Sequence, residues 1–179
     1  MEQFIDSIEL SLRTHNWHAA VISALILPDI AGWVDSPTQS SGARYEAWFE
    51  AFVAPKYLVK LGPDRTEKKF LSGRDCYALR CALLHEGRDD TSKQRSRDIL
   101  NRFHFVVPSS GKIHCNLIGS TLQLQVQDFC RDICDGIKRW RAEMSQNDTA
   151  KQERLTQLVK VYVQTPNSGI SLSQDSVRV

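Results

Sequence analysis

Residues 71–87 read LSGRDCYALRCALLHEG and contain the best-delimited helix of the chain. Ser72 is a typical N-cap residue, and Gly87 is the residue type that commonly follows a helix end. Between them, apolar side chains cover one broad face of a helix predicted over residues 73–86. Arg80 and His85 lie among these apolar positions instead of on the opposite side. These two polar residues are therefore the first candidates for a functional role.

Helical spacing recurs before and after this segment. It predicts two consecutive helices at the N-terminus, separated at His15-Asn16, with Pro28 kinking or ending the second. A strongly amphipathic helix begins near Tyr45, and Pro55 ends it. Further along, a long core helix spans about residues 123–145 and a shorter helix follows it.

The remaining segments predict loops and one hairpin. Residues 58–71 are typical of a polar loop, and residues 88–98 of a charged one. β-forming residues on both sides of a turn cluster predict a β-hairpin over about residues 99–118. The expected fold is therefore an all-α bundle of five or six helices with one inserted hairpin.

Composition sets the expected domain organisation. The chain has 179 residues, of which 41% are apolar and 25% charged, as in ordinary globular domains. We expect a single domain over residues 1–163 and a disordered tail over 164–179, where small and polar residues dominate. The interrupted apolar run at 19–30 is shorter than the roughly 20 residues of a membrane span, and the first residues lack the basic region of a signal peptide. These features predict a cytoplasmic protein without a membrane segment.

The cysteines and histidines do not predict a metal site. Five cysteines is an odd number, and most of them lie in helical apolar patterns, which favours reduced thiols over a disulfide framework. Cys130 and Cys134 are one helical turn apart, and His15 and His18 have a similar spacing, but neither pair has neighbours that complete four ligands. The sequence also lacks a glycine-rich phosphate loop, a G-x-S-x-G elbow and an H-E-x-x-H motif. We predict no metal and no cofactor.

Charge is distributed unevenly along the chain. Residues 60–104 hold 11 basic and 7 acidic side chains, whereas residues 1–59 hold 3 basic and 7 acidic ones. The basic excess includes Arg88, Lys93, Arg95 and Arg97, and it would suit a partner that carries phosphate, such as RNA. A solvated basic loop is the alternative interpretation.

The spacing R-x-x-x-x-H at Arg80 and His85, near the end of a late helix in an all-α bundle, resembles the HEPN superfamily. The stretches PDIAGW at 28–33, RYEAWFEAFV at 44–53 and CYALRCALLHEG at 76–87 resemble uncharacterised bacterial proteins associated with that superfamily. The resemblance covers roughly residues 17–140. Cys81 differs from active members, in which a polar residue usually follows the motif arginine.

The resemblance implies a metal-independent endoribonuclease. Two such helices would meet across a homodimer, so that both Arg80/His85 pairs line one cleft. The resemblance further implies that the histidine acts in acid–base catalysis on the ribose 2′-hydroxyl while the arginine holds the scissile phosphate. A toxin or antiviral-defence protein, with an antitoxin or regulatory protein as a partner, is one setting for this activity.

Other interpretations of the pair remain open. Arg13 and His18 have the same spacing, and Arg97 and His104 a slightly wider one, although only Arg80 and His85 share one capped helix. Their role could also be structural. Arg80 would then pair with an acid in the bundle, Glu50 or Asp29, and His85 would bond the last carbonyls of its helix.

Two further functions belong to other classes of protein. One is a non-catalytic HEPN-like module that binds RNA, a nucleotide or a protein partner. The other is a purely structural partner subunit.

Overall fold

The computed structural model describes residues 1–95, 97–144, 148–165 and 168–172, with backbone only for 163–165 and 168–172. The chain divides into two compact units, residues 1–145 and 146–179, and each is described by itself. The single domain over residues 1–163 stays a prediction from the sequence.

Five α-helices form the first unit. In chain order they are α1 Glu2–Arg13, α2 Trp17–Asp35, α3 Ser41–Phe52, α4 Gly73–Glu86 and α5 Val126–Glu143. Helix α2 is the central element, because it contacts all four of the others. A short 3₁₀ helix, Ala54–Tyr57, follows α3.

The prediction of an all-α fold is wrong, because the first unit also contains two small β-sheets. The first sheet pairs β1 Leu58–Leu61 with β2 Thr66–Lys69 in antiparallel orientation. The second sheet has three strands: β3 Arg102–Val106, β4 Asn116–Ile118 and β5 Thr121–Gln125. The fold is therefore mixed, with helices and strands in one unit.

The predicted hairpin over residues 99–118 is also wrong in its pairing. Strands β3 and β4 do not pair with each other, because β5 lies between them, parallel to β3 and antiparallel to β4. The sequence of β5, TLQLQ, alternates with period two, and Leu122 and Leu124 are buried. That alternation runs directly into the helical pattern of α5, and for this reason the predicted helix over 123–145 includes the last three residues of the strand.

Strands β1 and β2 lie in the segment predicted as a polar loop. All eight of their residues are exposed. A strand with neither face buried has no apolar alternation to reveal it. The pairing therefore depends on backbone hydrogen bonds and on the turn at 62–65, where Gly62 and Arg65 both have positive φ.

The break between α1 and α2 at His15-Asn16 is confirmed, and α3 ends before Pro55 as predicted. Pro28 does not end α2, which continues to Asp35 with the proline inside it. Residues on both sides of Pro28 are buried in the core, and this packing offsets the lost backbone donor.

The core is formed by buried apolar residues of all five helices of the first unit, together with Leu122 and Leu124 of β5. The helical stripe of α5 is confirmed: Cys130 and Cys134 are buried within it, and all five cysteines of the chain are free. Helix α2 is long and apolar enough to cross a membrane by length and composition alone. Half of the residues in that apolar window are buried.

The second unit contains helix α6, Thr149–Thr156, and strands β6, Tyr162–Thr165, and β7, Ser168–Leu172, which pair in antiparallel orientation. The strands lie largely within the segment for which the sequence predicts a disordered tail. Residues 173–179 of that predicted tail lie outside the described residues.

Candidate functional site

Helix α4 has the ends that the sequence predicts. The Ser72 hydroxyl accepts a hydrogen bond from the Asp75 amide at 3.1 Å, and Gly87 has the left-handed conformation with φ +66°. These caps satisfy backbone groups that a helix end leaves without partners. They fix the helix on which Arg80 and His85 lie.

The structure brings the two motif side chains into direct contact. Arg80 Nη1 lies 3.2 Å from His85 Nε2. Positions five apart do not lie directly above one another on a helix, but the long arginine side chain bridges the difference. Since a guanidinium has no acceptor, Arg80 is the donor in this contact, and the Nε2 atom of His85 must carry a free lone pair. The contact therefore uses the Nε2 atom of His85 as an acceptor.

Asp29 of α2 holds the other end of the Arg80 guanidinium. Arg80 Nη2 lies 2.9 Å from Asp29 Oδ2, and the two side chains are 19% and 12% exposed. This is one of the two acid pairings considered from the sequence. The other candidate, Glu50, is occupied instead by the Gly73 amide at 2.8 Å and by Lys69 Nζ at 2.7 Å.

Asp29 has two further partners, both on α3. Its Oδ1 accepts a hydrogen bond from Arg44 Nε at 3.0 Å and lies 3.0 Å from Arg44 Nη2, and Ser41 Oγ donates to the carboxylate at 3.1 Å. One carboxylate therefore joins two guanidiniums, so the cluster retains a net positive charge. We call these five residues, contributed by three helices, the Asp29 cluster: Asp29, Ser41, Arg44, Arg80 and His85.

Arg80 also has one hydrogen-bond donor without a partner in the described part of the chain. Its Nε atom is buried and has no hydrogen-bond partner among the described residues. The ring of Tyr77, one helical turn earlier, lies 6.0 Å from the guanidinium carbon. A buried donor without a partner is costly, which makes this guanidinium a candidate anion ligand.

Asp75 anchors the end of the basic loop to the start of α4. Its Oδ1 accepts hydrogen bonds from the amides of Asp98, Ile99 and Leu100 at 2.8–3.2 Å. Burial raises the pKa of Asp75, and these backbone hydrogen bonds oppose that rise. The anchor places the loop beside the helix that carries Arg80 and His85.

The four predicted RNA-binding residues of this loop differ in their contacts. Arg88 pairs with Glu86 and Asp90, and Arg97 donates from Nε to the Ser92 carbonyl at 3.2 Å. Lys93 and Arg95 are exposed and have no ion pair within the described part of the chain. These last two cations are the most available to an external phosphate.

A second polar cluster was not predicted from the sequence. Asp132 accepts hydrogen bonds from Lys56 at 2.8 Å and from Tyr57 at 3.1 Å, and His114 Nε2 lies 3.6 Å from it. Burial raises the pKa of Asp132, but the contacts with His114, Lys56 and Tyr57 outweigh it and lower the pKa overall. The Gln125 amide donates to His114 Nδ1 at 3.3 Å, so both ring nitrogens are engaged and the cluster is structural.

Within the described ranges, no group of three or more His, Cys, Asp or Glu residues could hold a metal ion. Comparison of the chain with protein-family models, curated proteins and solved structures gives no match.

Proposed function

We propose that this chain is a cytoplasmic, metal-independent endoribonuclease of HEPN type that acts as a homodimer. The observation that carries the proposal is the 3.2 Å contact between Arg80 and His85. It places the imidazole of His85 beside the permanently charged guanidinium of Arg80, whose Nε has no hydrogen-bond partner among the described residues. This is the pair of groups that 2′-hydroxyl attack on a phosphodiester requires.

In the proposed reaction, the scissile phosphate binds to Arg80, and Nη1 turns from His85 to a phosphate oxygen. The freed lone pair of His85 Nε2 then takes the proton of the ribose 2′-hydroxyl. The 2′-oxygen bonds to phosphorus while the bond from phosphorus to the 5′-oxygen breaks. The leaving 5′-oxygen takes a proton from water, the histidine then returns its proton to solvent, and the other product ends in a 2′,3′-cyclic phosphate.

Asp29 is the positioning residue in this proposal. It holds Nη2 of Arg80 without contacting His85, so the guanidinium keeps its orientation when Nη1 changes partner. The second half of α4 supports the homodimer, because Cys81, Leu83 and Leu84 are only partly buried in the single chain. A helix face of this kind is suited to a two-fold interface.

Cleavage of a labelled single-stranded RNA in EDTA tests the proposal. We expect H85A and R80A each to lose activity by about 10²–10⁴-fold, the usual contribution of a positioned acid–base group. Two matched controls should retain activity: R74A, an exposed arginine on the same helix, and H104A, an exposed histidine on β3. The product should carry a cyclic phosphate. Mutants that melt several degrees lower but cleave at the wild-type rate would make the pair structural.

A second candidate function is a non-catalytic module that binds RNA. In this case Asp29 would hold Arg80 in a partly buried ion pair, and Arg80 would bind a phosphate that does not react. In that case wild-type protein would bind the RNA without cleaving it, and H85A would bind equally well. Loss of cleavage in H85A with retained RNA binding distinguishes the nuclease from this alternative.

A further inference from the structure

A cleft between α2 and α3 adjoins the Asp29 cluster at Arg44, which belongs to both. Its volume is about 200 Å³, and Gly32, Ser36, Gln39, Arg44 and Trp48 are among the residues that line it. Pockets for drug-sized ligands measure roughly 300–1,000 Å³. The cleft is therefore large enough for one small ring system and too small for two.

Trp48, one of the residues that line the cleft, carries a hydrogen-bond donor that no described residue satisfies. Trp48 is 3% exposed, and its indole Nε1 has no hydrogen-bond partner among the described residues. Buried tryptophan N–H groups normally have a partner, because leaving one unpaired costs free energy. An acceptor from outside the chain would supply it.

Arg44 connects this cleft to the proposed catalytic pair. It lines the cleft, and its guanidinium shares the Asp29 carboxylate with Arg80. Along α2, Asp29 and Ser36 are seven residues apart, which corresponds to about 10 Å of helix. A ligand that contacts Arg44 through phosphate and Trp48 through a ring acceptor would therefore share Arg44 with the Asp29 cluster.

We propose that the cleft between α2 and α3 is a nucleotide subsite, which binds the base of the RNA residue next to the cleaved bond. This inference rests on the proposed nuclease function. Arg44 contacts the phosphate of that nucleotide, and the Trp48 N–H donates to a carbonyl oxygen or ring nitrogen of the base. The exposed Gln39 amide, which offers both a donor and an acceptor, discriminates between bases.

Titration of the four 5′-mononucleotides into the cleavage-deficient H85A protein tests the subsite without requiring catalysis. The indole N–H resonance of Trp48, assigned by its absence from W48F, should shift saturably with at least one nucleotide. By calorimetry, W48F should bind that nucleotide about two- to tenfold more weakly, because it keeps an aromatic ring but loses the donor. A47L, which fills the cleft from the exposed side of α3, should bind at least about tenfold more weakly.

A43L is the matched control, because Ala43 is exposed one helical turn before Ala47 and does not line the cleft. It should bind as H85A alone does. The subsite is refuted if no nucleotide shifts the Trp48 resonance at millimolar concentration, or if inorganic phosphate alone produces the same shift. It is also refuted if A43L weakens binding as much as A47L. Wild-type protein that fails to cleave RNA while H85A still binds a nucleotide would overturn the nuclease proposal and leave the subsite in place.

Discussion

Replacing Asp29 by alanine should destabilise the protein more than replacing either arginine that it holds. In D29A, the guanidiniums of Arg44 and Arg80 remain close together without their shared counter-charge. In R80A, by contrast, Asp29 keeps its contacts with Arg44 and Ser41. The comparison therefore separates the role of the carboxylate from the role of one arginine.

The size of the effect follows from burial. Breaking a fully buried ion pair costs about 3–5 kcal/mol, and losing an exposed pair costs about 0–1 kcal/mol. With side chains 12% and 19% exposed, the pair of Asp29 and Arg80 lies between these limits. We expect D29A to lose about 2 kcal/mol and R80A about 1 kcal/mol of unfolding free energy. For a chain of this length, these losses lower Tm by about 4–8 °C and 2–4 °C, respectively.

Thermal and urea unfolding followed by circular dichroism measure both losses. The double mutant D29A/R80A should be less destabilised than the sum of the single mutants, because removing Arg80 relieves the repulsion left by D29A. D64A, in the exposed turn between β1 and β2, is the control and should change stability by less than about 0.5 kcal/mol. Additivity within about 0.5 kcal/mol, or a larger loss in R80A than in D29A, would refute the account of a shared counter-charge.

Three further predictions concern other parts of the chain. K93E/R95E should weaken RNA binding more than R88E does, because Arg88 is already paired within the protein. If Lys93 and Arg95 each contact one phosphate, the slope of log K against log salt should be about −1.4. Equal effects of the two variants would contradict the assignment of Lys93 and Arg95 as the phosphate contacts. Because the pKa of Asp132 is lowered, its ionised form stabilises the folded state above the ordinary aspartate pKa, and the free energy of unfolding should fall as the pH drops below about 4. D132N should make this fall less steep. The same loss of stability at acid pH in D132N and wild type would contradict this role of Asp132. Sedimentation at micromolar concentration should show a dimer that a charge at Leu83 of α4 dissociates, and a wild-type monomer at every salt concentration would remove the composite site.

The sequence predicts α4 well because its signals are local. Ser72, Gly87 and the apolar face between them lie within one continuous segment, so no distant contact is needed to define the helix. Strand β5 was missed for the opposite reason: its pairing with β3 connects residues nearly twenty positions apart, and its alternation merges with the stripe of α5. Strands β1 and β2 bury neither face and gave no periodic signal at all.

The sequence likewise predicts part of the candidate site. The spacing of Arg80 and His85 on a capped helix was sufficient to select them, and Asp29 was one of two acids considered as a partner. Arg44 was not considered, because its part in the cluster depends on how closely α2 and α3 approach each other. A Cβ atom at Gly32 would lie 2.7 Å from the Arg44 carbonyl oxygen, so only glycine allows this approach. In the sequence, an isolated glycine inside a helical pattern does not show which neighbouring helix packs closely against it.

The contact between His85 and Arg80 also constrains how the proposed enzyme would work. While Arg80 donates to Nε2 of His85, that lone pair cannot accept a proton from substrate. A phosphate that draws Nη1 away would free the base at the moment when the substrate arrives. Asp29 makes this exchange possible, because it holds Nη2, and with it the orientation of the guanidinium, while Nη1 changes partner. R80K retains the positive charge but cannot hold Asp29 and a phosphate with the same planar fork, so charge alone would not restore the exchange.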